Sequence, residues 1–347
     1  MRWQFQYSKR NTFYPPDYEA PGLGGSEASL VLLTRTLASR GHTVEVFNCC
    51  YRPGVYEGVR WRMLWELEDA DKADVAVAVR YEESLWPDPS RASTHLFWML
   101  DDRASGADLF AERFRDHGGR VVTASDAMLR RLGDGAAAQL ATQIPLPIEV
   151  DRFEHADRPR DPICLFTSMP NRGLDVALKI WPAVRRAVPA AQLLVTSGWQ
   201  LWGYTAGESQ DHLRRTIGET PLPAGVSLLG VLPRRDLIAV LQRGWLTLYP
   251  CRFREMFCIS AAESAAAGTP MVASAFEVLT ERVRHRSTGL LIPGSIDEPE
   301  TQRSFTEATI GLLGDPKARE RFAAAGVRQV AACEPNQVAR QWEGLVS

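Results

Sequence analysis

Two carboxylates, Glu255 and Glu263, stand eight residues apart in the stretch Pro250-Cys-Arg-Phe-Arg-Glu255-Met-Phe-Cys-Ile-Ser-Ala-Ala-Glu263-Ser-Ala-Ala-Ala-Gly268-Thr-Pro270. Residues 257–267 are Ala-rich with no internal Gly or Pro and read as a helix. Gly268 falls where a left-handed C-terminal cap belongs, and Pro270 prevents continuation. Eight helical steps of about 100° return to within roughly 80° of the start, so both acids can address one side of the helix's N-terminal end. The backbone N–H groups of Met256, Phe257 and Cys258 at that end suit an anion such as a phosphate. Carboxylates beside a phosphate repel it unless they accept hydrogen bonds from hydroxyls instead. A ligand carrying both phosphates and sugar hydroxyls satisfies amides and acids together. The plainer reading, a dipole-favoured acid at a helix start and a solvated helix Glu, explains the same two residues.

Other candidates sit where strands give way to helices. Thr167-Ser168-Met-Pro-Asn-Arg172-Gly173 follows an apolar run, and an Arg beside two hydroxyls at a helix start is suited to a diphosphate. A surface Arg on a turn is the alternative. Gly22-Leu-Gly24-Gly25-Ser26-Glu27 precedes the first helix, and glycines there let a ligand approach the backbone. It is not a dinucleotide fingerprint, because Glu27 occupies the third position and a long loop separates it from the first strand. A capped helix start at Ser26 explains it equally. Trp98-Met-Leu-Asp101-Asp102 ends a strand and could offer a carboxylate to a sugar or a nucleophile, or simply initiate a turn. Gly230-Val231 offers a flat surface for a base, or mere packing.

The elements that position these residues alternate short apolar runs with amphipathic helices, the pattern of parallel sheets with crossover helices. In the first half, strands are expected at 2–7, 43–47, 74–79, 94–98 and 120–123, with helices at 26–40, 61–67, 108–115 and 126–132. Four prolines within residues 144–162 suggest a semi-rigid connector. The pattern restarts with strands at 163–167, 192–197, 226–229, 245–249 and 271–274, and helices at 174–188 and 233–242. The chain ends in helices near 301–313, 316–332 and 335–346. The expected class is α/β, two doubly wound Rossmann-like domains facing across a cleft with a C-terminal helical tail. Their bounds are 1–150, 151–330 and a final helix from 331. In open parallel sheets ligands bind outside the C-terminal strand ends, where every candidate above falls.

Composition narrows the partners. The chain has 347 residues and a net charge of −2, which favours two domains and gives no reason to expect nucleic acid. No apolar run approaches the roughly 20 residues that span a bilayer. Six cysteines without a C-x-x-C pair or a Cys/His cluster read as buried hydrophobes in a reducing cytoplasm. Arg113, Arg115, Arg120, Arg130 and Arg131 could face an anionic membrane or acceptor, or be solvated helix faces.

Taken in order, these pieces resemble the family 4 retaining glycosyltransferases of the GT-B fold. The residues carrying the resemblance are Gly24-Gly25-Ser26-Glu27, Ile144-Pro145, Asp151-Arg-Phe153, Arg172-Gly173-Leu-Asp175, Gly230-Val231 and Thr288-Gly289-Leu-Leu291. Glu255-x7-Glu263 with Ala267-Gly268-Thr-Pro270 is the strongest. The resemblance implies transfer of a sugar from a nucleoside-diphosphate donor to an acceptor hydroxyl, with retention and without a required metal or other cofactor. It implies that Glu263 takes the ribose hydroxyls and Glu255 the sugar hydroxyls. Arg172, Gly25 and the amides of Met256, Phe257 and Cys258 would hold the diphosphate, with Gly24, Thr167, Ser168 and Val231 completing the donor site. Arg172, Glu255 and Asp101 are the expected catalytic residues. The final helix, with Trp342, is expected to return to the first domain. Two positions depart from the family pattern. Thr167-Ser168 stands where an Arg is usual before the basic residue, itself Arg172 rather than Lys, and Leu100 stands where many members have His. Alternatives on the same fold are a sugar-nucleotide epimerase, a phosphorylase (with Lys179 as its pyridoxal lysine) and a non-catalytic nucleotide-sugar-binding protein.

Overall fold

The computed structural model describes residues 1–8, 12–84, 88–102, 104–153, 160–219 and 221–346. Residues 154–159 of the expected connector at 144–162 lie outside the described residues. The chain forms two units. One comprises Met1–Tyr18, Gly24–Ile148 and the piece from Ala332 on; the other comprises Glu19–Leu23 and Glu149–Ala331.

The first unit runs β1 (Arg2–Gln6), α1 (Gly25–Ser39), β2 (Thr43–Asn48), β3 (Gly54–Tyr56), β4 (Val59–Met63), β5 (Ala73–Val79), β6 (Ala92–Trp98), α2 (Ala104–Phe114), β7 (Arg120–Thr123), α3 (Asp126–Arg131) and β8 (Ala141–Gln143). Among the described residues its sheet has eight strands in the order β3-β4-β2-β1-β5-β6-β7-β8. All neighbours pair parallel except β3 with β4. Apolar residues on both faces of the central strands, Trp3, Phe5, Val46, Phe47, Val75 and Val77, are fully buried, as a sheet covered on both sides requires.

Residues 61–67, expected as a helix, are instead β4 and a short 3-10 turn. Glu57 (φ 47°) and Gly58 (φ 81°) form a two-residue turn of positive φ that folds β3 back on β4. Val59 and Trp61 then point inward while Arg60 is exposed, a period of two rather than 3.6.

The second unit runs β9 (Ile163–Phe166), α4 (Leu174–Ala187), β10 (Gln192–Thr196), α5 (Ala206–Ile217), β11 (Val226–Gly230), α6 (Arg234–Arg243), β12 (Leu246–Tyr249), α7 (Ile259–Ala266), β13 (Met271–Ser274), α8 (Leu279–Arg282), β14 (Gly289–Ile292), α9 (Pro299–Gly314) and α10 (Pro316–Val330). Its described strands lie in the order β11-β10-β9-β12-β13-β14, all parallel. The order reverses at β9, so the turns after β9 and β12 flank the switch point where open α/β sheets bind ligands.

α11 (Pro335–Glu343) belongs to the first unit. It buries Trp342 against Phe5 and Trp98, with ring centroids 6.4 and 5.1 Å apart. Glu343 takes both Nε and Nη2 of Arg40 at 2.7 Å.

Candidate functional site

The site in the second unit is built from the turns that follow β9 and β12. Gly173 sits between Arg172 and α4 with φ 113°, and a Cβ there would collide with the Pro250 carbonyl oxygen. Only glycine lets these two turns close together. The closure puts Arg172 against the β12 turn. Its Nη1 donates to Glu255 Oε1 at 2.5 Å, and its guanidinium lies 4.4 Å from the Phe253 ring centroid.

Tyr249, the last residue of β12, donates its hydroxyl to the same Glu255 oxygen. Ser168 lies 2.9 Å from the Tyr249 hydroxyl. Glu255 is thus gripped at Oε1 by a cation and a phenol, with 6% of its surface exposed. No described residue bonds its Oε2. Arg172 Nε is buried with no hydrogen-bond partner, which leaves a donor of the guanidinium unspent. Burial pulls this guanidinium down, but the facing Glu255, followed by Tyr249, outweighs it and holds Arg172 above its ordinary value. Burial first, then Glu255, drives the Tyr249 phenol well above its usual range and the Cys251 thiol up to about 12. Tyr249 and Cys251 therefore keep their protons beside the Arg172 guanidinium.

Thr167 pairs its hydroxyl with that of Ser260, in the first turn of α7. The helix itself starts later than the sequence indicates. Cys258 has φ 61° and serves as N-cap, so α7 spans Ile259–Ala266 and its leading amides are those of Ile259 and Ser260. Met256, Phe257 and Cys258 instead turn their side chains inward, each at most 8% exposed, and burying three successive residues is incompatible with one helical face. At the other end Gly268 adopts φ 64°, as a left-handed cap requires.

Glu263 is buried on α7, and its Oε1 receives Nη1 of Arg234 from the start of α6. Arg234 is a site residue that sequence reasoning missed. Its only signal is a buried-type position, Pro233-Arg234, at a helix N-terminus where a cation opposes the dipole. Val231 follows Gly230 (φ 68°) at the end of β11, and a Cβ on Gly22 or Gly198 would stand 3.5 or 3.4 Å from its side chain.

In the first unit, Gly24 caps α1 and the helix begins at Gly25, one residue before Ser26. Asp101 follows β6 and accepts Nε of Arg80 at 2.6 Å. Arg80 Nη1 also lies 3.4 Å from the Tyr7 hydroxyl, and Tyr7 donates to Glu27 at 2.5 Å. Arg80, Tyr7 and Glu27 form a buried cluster around Asp101 that sequence reasoning did not assemble. Tyr7 and Arg80 follow β1 and β5 as Asp101 follows β6, and that shared place at strand ends was the available signal, while Glu27 lies on α1. Arg80 supplies a cation beside Asp101 where Leu100 replaces the usual His. Asp102 pairs instead with Arg131 at 2.5 Å, which removes Arg131 from the suggested basic face. Lys179 is exposed on α4.

The family described as "Glycosyl transferases group 1" matches residues 148–329, the stretch that holds Arg172, Arg234, Glu255 and Glu263. The chain belongs to that family. A phosphatidyl-myo-inositol mannosyltransferase of Mycobacterium tuberculosis is 29% identical over 232 residues, 64% of this chain. The chain spans 57% of that relative's length. A GDP-mannose-dependent alpha-(1-6)-phosphatidylinositol monomannoside mannosyltransferase of the same species is 25% identical, covering 66% of this chain and 67% of the relative. Among solved structures, Anabaena Alr3699/HepE in complex with UDP-glucose superposes with a TM-score of 0.74 at 14% identity, over 99% of this chain and 98% of that one. WaaG, a glycosyltransferase involved in lipopolysaccharide biosynthesis, gives a TM-score of 0.66 at 12% identity over 99% of each chain. This member of the group 1 family has the GT-B fold, two parallel-sheet α/β units with a C-terminal helix. Among the described residues no helix is long and apolar enough to cross a membrane.

Proposed function

We propose that the protein transfers a hexose from a nucleoside-diphosphate donor to an acceptor hydroxyl, with retention of anomeric configuration and without a metal ion. The observation that carries the reading is the Arg172–Glu255 pair at the switch point of the second unit's sheet. Breaking the bond from the anomeric carbon to the β-phosphate oxygen leaves negative charge on the diphosphate and positive charge on the sugar ring. Arg172 retains unbonded donors for the first, and the amides of Ile259 and Ser260 at the α7 terminus add positive potential. Glu255, fixed at Oε1, keeps Oε2 for the sugar hydroxyls and for the charge that develops on the ring. Glu263, fixed likewise, keeps Oε2 for the ribose. Fixed cations and dipoles are the groups that a metal ion would otherwise replace. The acceptor's oxygen attacks the anomeric carbon on the face from which the phosphate departs, and the leaving phosphate oxygen takes the acceptor's proton. In the first unit, Asp101, held by Arg80, is assigned to the acceptor or the transferred sugar.

The names of the relatives set the order of trial. GDP-mannose comes first as donor, then UDP-glucose, with phosphatidylinositol as the first acceptor. The test is release of nucleoside diphosphate, followed by chromatography in the presence of EDTA, with NMR of the product's anomeric proton. Diphosphate release with an α-product from an α-linked donor supports the reading. Product of inverted configuration contradicts retention, and no release from any common nucleotide sugar contradicts the reaction.

A further inference from the structure

Glu263 shares its cation. Arg234 is the first residue of α6, where a positive charge opposes the helix dipole, so its place must be secured by specific partners. It is 7% exposed and donates from Nη1 to Glu263 Oε1, while its Nε lies 3.8 Å from Glu149 Oε2. Its guanidinium stands 5.4 Å from the Phe153 ring centroid, and its backbone N–H donates to the Glu19 carbonyl at 2.8 Å. Arg152 then binds Glu19 through two nitrogens at 2.5 and 3.0 Å and reaches Glu149 at 3.1 Å. Two pieces distant in sequence thereby converge, within the second unit, on one buried arginine.

We propose that Arg234 is a positioning residue that fixes Glu263 so that its second oxygen accepts the donor's ribose hydroxyls. The proposal rests on the reading of Glu263 given above. A carboxylate with one oxygen tied to a guanidinium has one oxygen and one direction left for a ligand. The Arg234 bond is buried, where a charge-assisted hydrogen bond is strong and its loss leaves Glu263 and Glu149 without their common cation. Nothing in this arrangement requires Arg234 to touch the ligand. Its effect therefore appears as discrimination between sugars rather than as a uniform loss of binding.

The test is calorimetric binding of GDP and 2′-deoxy-GDP, with UDP and 2′-deoxy-UDP alongside, to the full chain and to Arg234→Lys, Arg234→Met and Glu263→Ala. The wild type is expected to favour the ribonucleotide at least about tenfold, the scale of one hydrogen bond to a charged group. Arg234→Met is expected to bring that ratio near one. Arg234→Lys, which keeps the charge but loses the fork, is expected to fall between. Should Arg234→Met not fold by circular dichroism, Arg234→Lys decides: a ratio reduced severalfold supports the proposal, and the wild-type ratio overturns it. Arg234 variants that retain the ratio while Glu263→Ala loses it overturn the proposal and leave the ribose reading standing. A Glu263→Ala protein with the wild-type ratio, or a wild type with no preference, removes the ribose reading and the proposal with it.

Discussion

Arg172 and Glu255 are joined through Nη1 and Oε1 at 2.5 Å although they belong to turns that follow different strands. The β9 turn supplies the cation and the β12 turn the acid. Gly173 allows the approach that brings them together. One oxygen of Glu255 is thereby committed to the protein, and no described residue bonds the other. The cation that would stabilise a leaving phosphate is held by the acid that would contact the sugar, so variants at Arg172, Tyr249 and Gly173 disturb both tasks.

Replacing Arg172 by Ala removes the cation and leaves Glu255 buried with only Tyr249. A charge-assisted bond is worth roughly 1.5–3 kcal/mol, so turnover should fall at least about tenfold. Steady-state kinetics with saturating donor checks this. Unchanged kcat would take Arg172 out of the reaction.

Tyr249→Phe keeps the ring and loses the hydroxyl that bridges Ser168 and Glu255. The fold should survive, because the ring fills the same space, while the aim of Glu255 loosens. The expected result is a lower kcat with a thermal midpoint within a few degrees of the wild type. A parallel collapse of both would mark Tyr249 as a core residue only.

Gly173→Ala forces a Cβ towards the Pro250 carbonyl in a left-handed backbone. The cost is roughly 2 kcal/mol or more. Urea unfolding should show the loss together with reduced activity. A variant as stable as the wild type would contradict the close approach of the two turns.

Glu343 is held down to about 2 from an ordinary 4.5, chiefly by its hydrogen bond with Arg40. Its native value lies below the unfolded one, so the stabilisation is complete above pH 4.5 and fades as pH falls towards 2. The pair is partly exposed, so the effect is at most about 1 kcal/mol. Unfolding curves between pH 6 and 2.5 should lose that stability in the wild type and not in Glu343→Gln. Identical pH dependence in both would exclude the pair from anchoring α11.

Much of this was legible before any coordinates. The run at 271–274 is a strand with those bounds, because a short apolar segment behind Gly268-Thr-Pro270 admits little else. The Glu255 and Glu263 spacing, the Arg172 turn and the Gly268 cap were readable from residue type alone. Helix α5 is not among the expected elements, although Thr205-Ala-Gly-Glu208 spells a capping box that the structure forms, with Glu208 Oε2 accepting the Thr205 N–H at 2.8 Å. The helix has a weak apolar face, so the cap was its clearest signal. The left-handed backbone of Cys258 is not legible in the sequence, because nothing in its residue type announces it. Arg234 and Arg80 escaped because their partners, Glu263 and Asp101, lie 29 and 21 residues away in sequence, and spacing carries no information at that range.

The most direct measurement is the heat of binding of GDP and UDP, without added metal, to the wild type and to Arg172→Ala. The account predicts that the wild type binds at least one of the two and that Arg172→Ala binds it at least about tenfold more weakly, since a buried cation–phosphate bond is lost. Equal affinity in the two proteins would contradict a diphosphate seated at the β9 turn.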